Sequence, residues 1–114
     1  MNSRPLLLIA GLCGAAGVAL AARGTHAAEG DVMVAANFLL LHAGVLLGIS
    51  LLTSRLSQIA GYVLFVALVL FAGDLVLRGE YGRSLFPLAA PAGGIGLIAG
   101  WLLLAVSALV GKGK

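Results

Sequence analysis

Apolar residues are grouped along the chain into four long segments, with short polar stretches between them. These segments run approximately over residues 5–22, 32–53, 56–77 and 91–110. Each has roughly the 17–25 residues with which a helix crosses about 30 Å of hydrocarbon. Helices are preferred over strands because backbone polar groups in lipid have to be satisfied within the segment. The pattern therefore predicts an all-α integral membrane protein: a single domain over residues 1–114, with four transmembrane helices in an antiparallel bundle and short loops.

The composition of the chain supports a membrane location. Of its 114 residues, 61% are hydrophobic and 10% are charged, and its mean hydropathy is +1.14. A soluble domain typically carries about 25% charged residues, so this chain has too little polar surface to cover a water-exposed exterior. The lipid bilayer is therefore the predicted partner. The seven Lys and Arg residues are scattered and form no basic stripe with interleaved aromatics, so nucleic-acid binding is not predicted.

The chain carries no recognisable catalytic or cofactor-binding pattern. Its single cysteine, Cys13, excludes an intramolecular disulfide and a multi-cysteine metal cluster. No nucleophile–base constellation, phosphate-binding loop or dinucleotide fingerprint occurs in the sequence. We therefore predict neither an enzyme nor a bound cofactor or metal.

The first apolar segment admits two interpretations. Arg4 followed by a long apolar run, with Ala-Leu-Ala at residues 19–21, also resembles a signal peptide and its cleavage site. However, small residues are equally common where membrane helices pack closely, and the sequence that follows contains further spans rather than a secreted domain. We therefore favour an uncleaved first transmembrane helix.

The Lys and Arg residues of the short loops predict the orientation in the membrane. One side, which holds both termini and the second loop, has four of them and no acid, whereas the other side has three of them together with acids. The four are Arg4, Arg55, Lys112 and Lys114, and the three are Arg23, Arg78 and Arg83. This small margin predicts that both termini lie in the cytoplasm.

Small residues recur at the spacing with which membrane helices pack. Gly44 and Gly48 form a GxxxG pair in the second span, and Gly96 and Gly100 form another in the fourth. Such residues let two helix backbones approach closely. Chance is the alternative, because the chain has 17 glycines; we favour packing within the chain, and the pattern leaves open whether one face makes a dimer. Trp101 lies mid-span, so its ring is predicted to pack between helices, with a partner there for its N–H.

Several of these motifs together resemble a known family. The segments LCGAAGVALAARGTH, ANFLLLHAGVLLGISLL and PAGGIGLIAGWLLLA are similar to a Gly-rich stretch that ends in histidine, a histidine before a leucine-rich run, and a C-terminal signature of Pro, paired Gly and Gly-Trp. These are features of domain-of-unknown-function family 423, which includes the eukaryotic transmembrane protein 256 and small bacterial inner-membrane proteins. The resemblance extends from about Leu6 to Leu109. The matching positions are His26, His42, Pro91, Gly93, Gly94, Gly100 and Trp101.

Two histidines are candidates for chemistry. His42 lies ten residues into the second span, which is roughly 15 Å deep at 1.5 Å per residue, and a histidine at that depth is a candidate proton relay or ligand. The alternative, which we favour, is a neutral imidazole hydrogen-bonded to a neighbouring helix. His26 lies in a loop with Glu29 and Asp31, a spacing that suits a divalent metal, but structural zinc sites usually have four ligands. We favour a solvated loop without a metal.

A polar cluster is predicted near the end of the third span. Asp74 and Arg78 are four residues apart and share a helix face, and Asp74 is expected about one turn, roughly 5 Å, below the membrane boundary. Asn37 lies at a similar depth on the second helix and shares a face with Gly44 and Gly48. We therefore predict a structural Asn37–Asp74–Arg78 cluster. The resemblance agrees, because the family more often has serine at the position of Asp74.

These observations lead to two functional hypotheses. A small polar inventory, short loops and close-packing motifs favour an accessory, scaffold or assembly subunit of a larger membrane complex, with a membrane protein or a second copy of the chain as its partner. The alternative is a proton-coupled or small-solute transporter or channel that uses His42. The family resemblance implies a four-span protein of the bacterial inner membrane and supplies no known activity.

Overall fold

Four long helices make up the structure. A computed structural model describes residues 3–27 and 30–110, with the backbone alone for residues 24–27. Within that part of the chain there are no strands, and each helix is long and apolar enough to cross a membrane. The predicted all-α membrane class is therefore confirmed. The helices are α1 (Arg4–Ala27), α2 (Gly30–Ser50), α3 (Arg55–Tyr81) and α4 (Ala89–Val110).

The helices pack in the order in which they follow one another. Helix α1 lies against α2, α2 lies against α3, and α3 lies against α4, whereas α1 makes few contacts with α3. Over the described residues, the backbone of α4 does not come close to that of α1 or α2. The molecule is consequently thin, with principal extents of 47, 26 and 17 Å. The bundle is open between its first and last helices, which leaves most of their surface to lipid.

A glutamine of α3 completes the end of α2. Gln58 is buried and donates through Nε2 to the carbonyl oxygens of Ile49, at 3.2 Å, and Leu52, at 2.9 Å. Carbonyl groups in the last turn of a helix have no partner within that helix, so the amide supplies what the turn lacks. Helix α2 accordingly ends at Ser50, short of the predicted limit at residue 53.

Helices α1 and α3 continue past their predicted spans and end together. Helix α3 runs to Tyr81, and Gly82 terminates it in the left-handed conformation, with φ of 71°, which glycine adopts without steric cost. Close to both helix ends, the Arg23 guanidinium donates twice to the Glu80 carboxylate, with Nη2 2.6 Å from Oε1. The two charged residues follow the first and third apolar segments, and the ion pair connects the ends of the two helices. Both helices therefore extend about one turn beyond their apolar segments.

The apolar core lies where α1, α2 and α3 meet. Leu6, Ile49 and Leu64 are among its buried side chains. Gly61 of α3 faces this core, because a Cβ placed on it would lie 3.0 Å from Leu6 and 3.1 Å from Ile49. The first three helices therefore pack through large side chains that interdigitate around a glycine.

Glycines of α4 bring its backbone close to α3. A Cβ placed on Gly93 would lie 2.6 Å from the backbone nitrogen of Phe71, and one placed on Gly96 would lie 2.8 Å from the Cβ of Ala67. Gly100 is equally tight against α3. There is no room for a methyl group at these distances, so the α3–α4 interface depends on the absence of side chains at these positions.

The GxxxG pair of α2 lies on the surface. Gly44 and Gly48 are exposed, and a Cβ placed on either would meet nothing within 4 Å. The prediction that they pack within the chain is wrong because α2 turns a different face inward: His42 is buried, and Gly44 follows it by about 200° of helix rotation. Gly94 likewise points away from α3 and has nothing within 4 Å, although its neighbour Gly93 is tightly packed.

These adjacent glycines of α4 provide a matched test of the packing. Gly93→Ala places a methyl group against backbone atoms of Phe71, which cannot rotate aside, so we expect the free energy of unfolding to fall by about 1–3 kcal/mol. Gly94→Ala meets open space and gains helix propensity, so its stability should be unchanged or higher by up to about 1 kcal/mol. Unfolding by SDS in mixed micelles measures both variants. Equal effects of the two substitutions would contradict the close α3–α4 contact.

Candidate functional site

A buried histidine lies in an aromatic cluster that joins three helices. His42 of α2 is 2% exposed. Its ring stacks on Phe38, with centroids 5.9 Å apart, and meets Trp101 of α4 edge-on at 5.8 Å. Phe38 in turn contacts Phe71 of α3, with centroids 4.6 Å apart. The cluster therefore links α2 to α4, whose backbones do not approach each other.

Hydrogen bonds fix where the proton of His42 lies. Trp101 Nε1–H, which can only donate, lies 3.2 Å from His42 Nε2. Nε2 is therefore an acceptor and carries no proton. The proton is on Nδ1, which lies 2.9 Å from the Phe38 carbonyl oxygen, one turn earlier in α2, and donates to it. The imidazole is neutral, and both of its nitrogens are engaged.

This geometry suits a structural role better than a proton relay or a ligand site. A second proton, on Nε2, would face the Trp101 N–H, so protonation requires the bond between the two rings to break. A metal ion at Nε2 would have to displace the indole as well. Over the described residues, no group of three His, Cys, Asp or Glu side chains is placed to hold a metal. The site satisfies two polar side chains and ties α4 to α2.

The second polar site lies near the end of α3, where Asp74 is completely buried. Its Oδ2 accepts from Arg78 Nε at 2.9 Å, one turn along the same helix, and its Oδ1 accepts from the backbone N–H of Leu85 at 2.8 Å. The Arg78 side chain is 44% exposed, so it extends from the buried carboxylate towards the surface. Both carboxylate oxygens are engaged, and Asp74 holds the α3–α4 loop against α3.

The structure does not bring Asn37 into this cluster. Asn37 is exposed on α2, whereas Asp74 is bonded to Arg78 and Leu85. The predicted Asn37–Asp74–Arg78 cluster is therefore wrong in its first member, because Asn37 shares the outward face of α2 that carries the glycines. Asp74 is also farther from the helix end than predicted, since α3 continues to Tyr81, about 10 Å beyond it.

The prediction that His26 lies in a loop is wrong, because α1 continues to Ala27 and includes the backbone of His26. The His26 side chain and Glu29 fall outside the described residues, as do Lys112 and Lys114, on which the predicted orientation partly rests. Asp31, the third member of the loop site, is exposed at the start of α2. The expectation that these residues bind no metal and the cytoplasmic location of both termini stay predictions.

Sequence reasoning misses several residues that hold the helices in place. The ion pair of Arg23 and Glu80 could have been predicted from the sequence, because charges of opposite sign follow the first and third apolar segments, which end on the same side of the membrane. The role of Gln58 could also have been predicted, since an amide just inside an apolar segment needs a hydrogen-bond partner. The role of Leu85 could not, because Leu85 contributes a backbone N–H and not its side chain.

A double-mutant cycle tests the bond between His42 and Trp101. Trp101→Phe removes the indole N–H and keeps an aromatic ring, and His42→Phe removes the acceptor. We expect a coupling free energy of about 0.6–1.7 kcal/mol, as found for side-chain hydrogen bonds between membrane helices. Unfolding by SDS in mixed micelles measures the single variants and the double variant. Strictly additive effects would show that the two side chains do not interact.

Substitutions at Asp74 separate the ion pair from the loop bond. Asp74→Asn keeps an acceptor for the Leu85 N–H, Arg78→Gln removes only the ion pair, and Asp74→Ala removes both interactions. A hydrogen bond to a charged group contributes about 1.5–3 kcal/mol, so we expect a protease to cleave the loop about tenfold faster in Asp74→Ala. Limited proteolysis of the reconstituted chain compares the variants. Cleavage at the same rate in Asp74→Ala and Arg78→Gln would argue against the anchoring of the loop.

Comparisons with known proteins also indicate a membrane protein. A family model described as a protein of unknown function, DUF423, matches residues 13–94. The UPF0382 inner membrane protein YgdD of Escherichia coli K12 is 31% identical over 100% of this chain and 96% of its own length. The UPF0382 membrane protein YwdK of Bacillus subtilis is 29% identical over 81% of this chain and 85% of its own length. The UPF0382 membrane protein SH2409 of Staphylococcus haemolyticus is 29% identical over 89% and 92% of the respective chains.

No solved structure matches the chain. The family match spans His42 and Asp74, and the matches to the three relatives cover 81%, 89% and 100% of the chain. With its four apolar helices, the chain is an integral protein of the bacterial inner membrane, and it belongs to the DUF423 family of proteins of unknown function.

Proposed function

We propose that the chain is a non-catalytic accessory subunit that docks a helix of another membrane protein on the exposed side of α2. This surface, the α2 outer face, consists of Asn37, Leu41, Gly44 and Gly48, which follow the three- and four-residue spacing of one helix side. All four residues are exposed. The observation that carries the proposal is Asn37, a polar side chain that points outward from an apolar helix.

Asn37 lies within the apolar part of α2. It follows the start of the helix at Gly30 by about 10 Å. Over the described residues, no hydrogen bond engages its side chain. Lipid offers an amide no partner, so a polar group at this depth is costly unless another helix pairs with it. Asparagine forms such hydrogen bonds between membrane helices, and a partner helix with a donor or acceptor at this level would satisfy it.

The glycines of the α2 outer face leave room for that helix. Nothing lies within 4 Å of a Cβ placed on Gly44 or Gly48, so a second backbone has the space to approach α2 as closely as α4 approaches α3. Gly11 of α1 is open as well. A surface depression of about 230 Å³ extends between α1 and α2 on this side, and Gly11 and Gly44 are among its lining residues. Close backbone approach is what associates helices in lipid.

The ionisable groups of the membrane segments offer less to a transporter. Both ring nitrogens of His42 and both carboxylate oxygens of Asp74 already have partners within the chain. A carrier of protons or solutes needs groups that exchange partners along a pathway. The bonding of these two side chains therefore supports structural roles for them rather than roles in transport.

Co-purification tests the proposed docking. The tagged full chain is released from native membranes in a mild detergent, and its companions are quantified by mass spectrometry. We expect a stoichiometric membrane-protein companion with the wild-type chain. Gly44→Leu, which fills the docking face, and Asn37→Leu, which removes the polar contact, should each lower its recovery by about tenfold, as a loss of 1.4 kcal/mol does.

Gly94→Leu is the matched control. Gly94 is also a helical glycine whose Cβ would meet nothing within 4 Å, but it lies on α4, so this variant should keep the companion. A monodisperse wild-type chain without a stoichiometric companion would contradict the proposal. Self-association through the α2 outer face would also contradict it, because the chain would then be its own partner.

A further inference from the structure

An apolar groove with a volume of about 510 Å³ runs along the outside of the α3–α4 interface. Its floor is rigid, because Gly96 of α4 meets Ala67 of α3 so closely that a Cβ on Gly96 would lie 2.8 Å from that side chain. We call this feature the α3–α4 groove. Ile59, Tyr62, Val66 and Leu70 of α3 line one wall, and Ala92 of α4 lines the other.

The α3 wall of the α3–α4 groove has the length of one leaflet of a bilayer. Its α3 wall extends from Ile59 to Leu70, which is about 16 Å of helix. The hydrocarbon core is about 30 Å thick, so one leaflet accounts for roughly 15 Å. A transmembrane helix of another chain would cross both leaflets. The groove instead fits a single acyl chain that enters from one side.

A positive charge lies at the end of the groove. Arg55, the first residue of α3, precedes Ile59 by one turn and shares its helix face. It is exposed, and it forms no ion pair in the described part of the chain. The described acids lie at the other end of the molecule, at the start of α2 and near the end of α3: Asp31, Asp74 and Glu80. None of the described acidic side chains therefore compensates the charge of Arg55.

We propose that the α3–α4 groove holds one acyl chain of an anionic phospholipid, whose phosphate is bound by the Arg55 guanidinium. The apolar walls take the hydrocarbon, and the rigid floor keeps the groove open without a ligand. Arginine matches the geometry of a phosphate through paired N–H donors, and a basic residue at the membrane surface is attracted to anionic lipid. Charge and groove lie on one face of α3, so a single lipid molecule engages both.

This lipid site is independent of the proposed docking of a protein partner. It lies on α3 and α4, whereas the docking face lies on α2. A failure of one proposal leaves the other standing, because lipid binding and co-purification are read out separately and in different variants.

Native mass spectrometry tests the charge at the end of the groove. The full chain is reconstituted in vesicles of phosphatidylcholine with a minor fraction of phosphatidylglycerol, extracted in mild detergent, and weighed with its retained lipid. We expect one phosphatidylglycerol per wild-type chain. Arg55→Gln should lower the ratio of retained phosphatidylglycerol to phosphatidylcholine by about fivefold, which is what one basic residue contributes at an anionic surface. Arg83→Gln is the matched control, since Arg83 is exposed beyond the other end of α3, and it should leave the ratio unchanged.

A second pair of variants tests the groove itself. Ala92 and Ala105 are both exposed alanines of α4, and only Ala92 lines the groove, because Ala105 follows it by about 220° of helix rotation. Ala92→Phe should abolish retention of both lipids, and Ala105→Phe should retain them as the wild-type chain does. The proposal is overturned if the wild-type chain retains no phosphatidylglycerol, if Arg55→Gln keeps the wild-type ratio, or if Ala92→Phe keeps its lipid. It is also overturned if the wild-type chain has the mass of a dimer and Ala92→Phe has the mass of a monomer, because a second copy would then occupy the groove.

Discussion

Polar groups that enter hydrocarbon have to find their hydrogen-bond partners inside the protein, because lipid supplies none. This chain has few polar side chains, so each such bond decides the position of a whole helix. The hydrogen bond from Trp101 to His42 fixes the position of α4 along the axis of α2. Gln58 determines where α2 ends, and Asp74 determines how the chain turns from α3 into α4 by holding Leu85. Apolar contacts between helices discriminate much less between alternative positions of one helix along the axis of its neighbour.

Close packing then decides which helices are neighbours. Gly93, Gly96 and Gly100 lie on the face of α4 that meets α3, so α4 runs alongside α3 and does not close the bundle over α1. The outcome is a thin molecule whose first and last helices present much of their apolar surface. In water such a surface would drive aggregation. In a bilayer it is tolerated, since lipid tails are as apolar as leucine side chains.

Hydropathy along the sequence is enough to predict the number, length and class of the helices, because it reports the average polarity of each segment. It does not report which side of a helix turns inward, since a helix that is apolar all round has no polar stripe to mark its outside. For this reason Gly44 and Gly96 occur in the same motif although one is exposed and the other packed. The depth of a side chain in the membrane can be predicted from the sequence, because His42 and Trp101 each follow the start of their predicted spans by ten residues. The loop bond of Leu85 is not, because every residue except proline has a backbone N–H and only the folded loop selects one.

The order of the bonds along the chain bears on how the protein enters the membrane during synthesis. Gln58 binds carbonyl groups that leave the ribosome before it does, whereas Asp74 accepts from Leu85, which leaves later. A buried carboxylate that still lacks its partners resists transfer into lipid. We therefore expect α3 to reach its final depth only once the loop has followed it, which favours insertion of the last two helices together, as a hairpin.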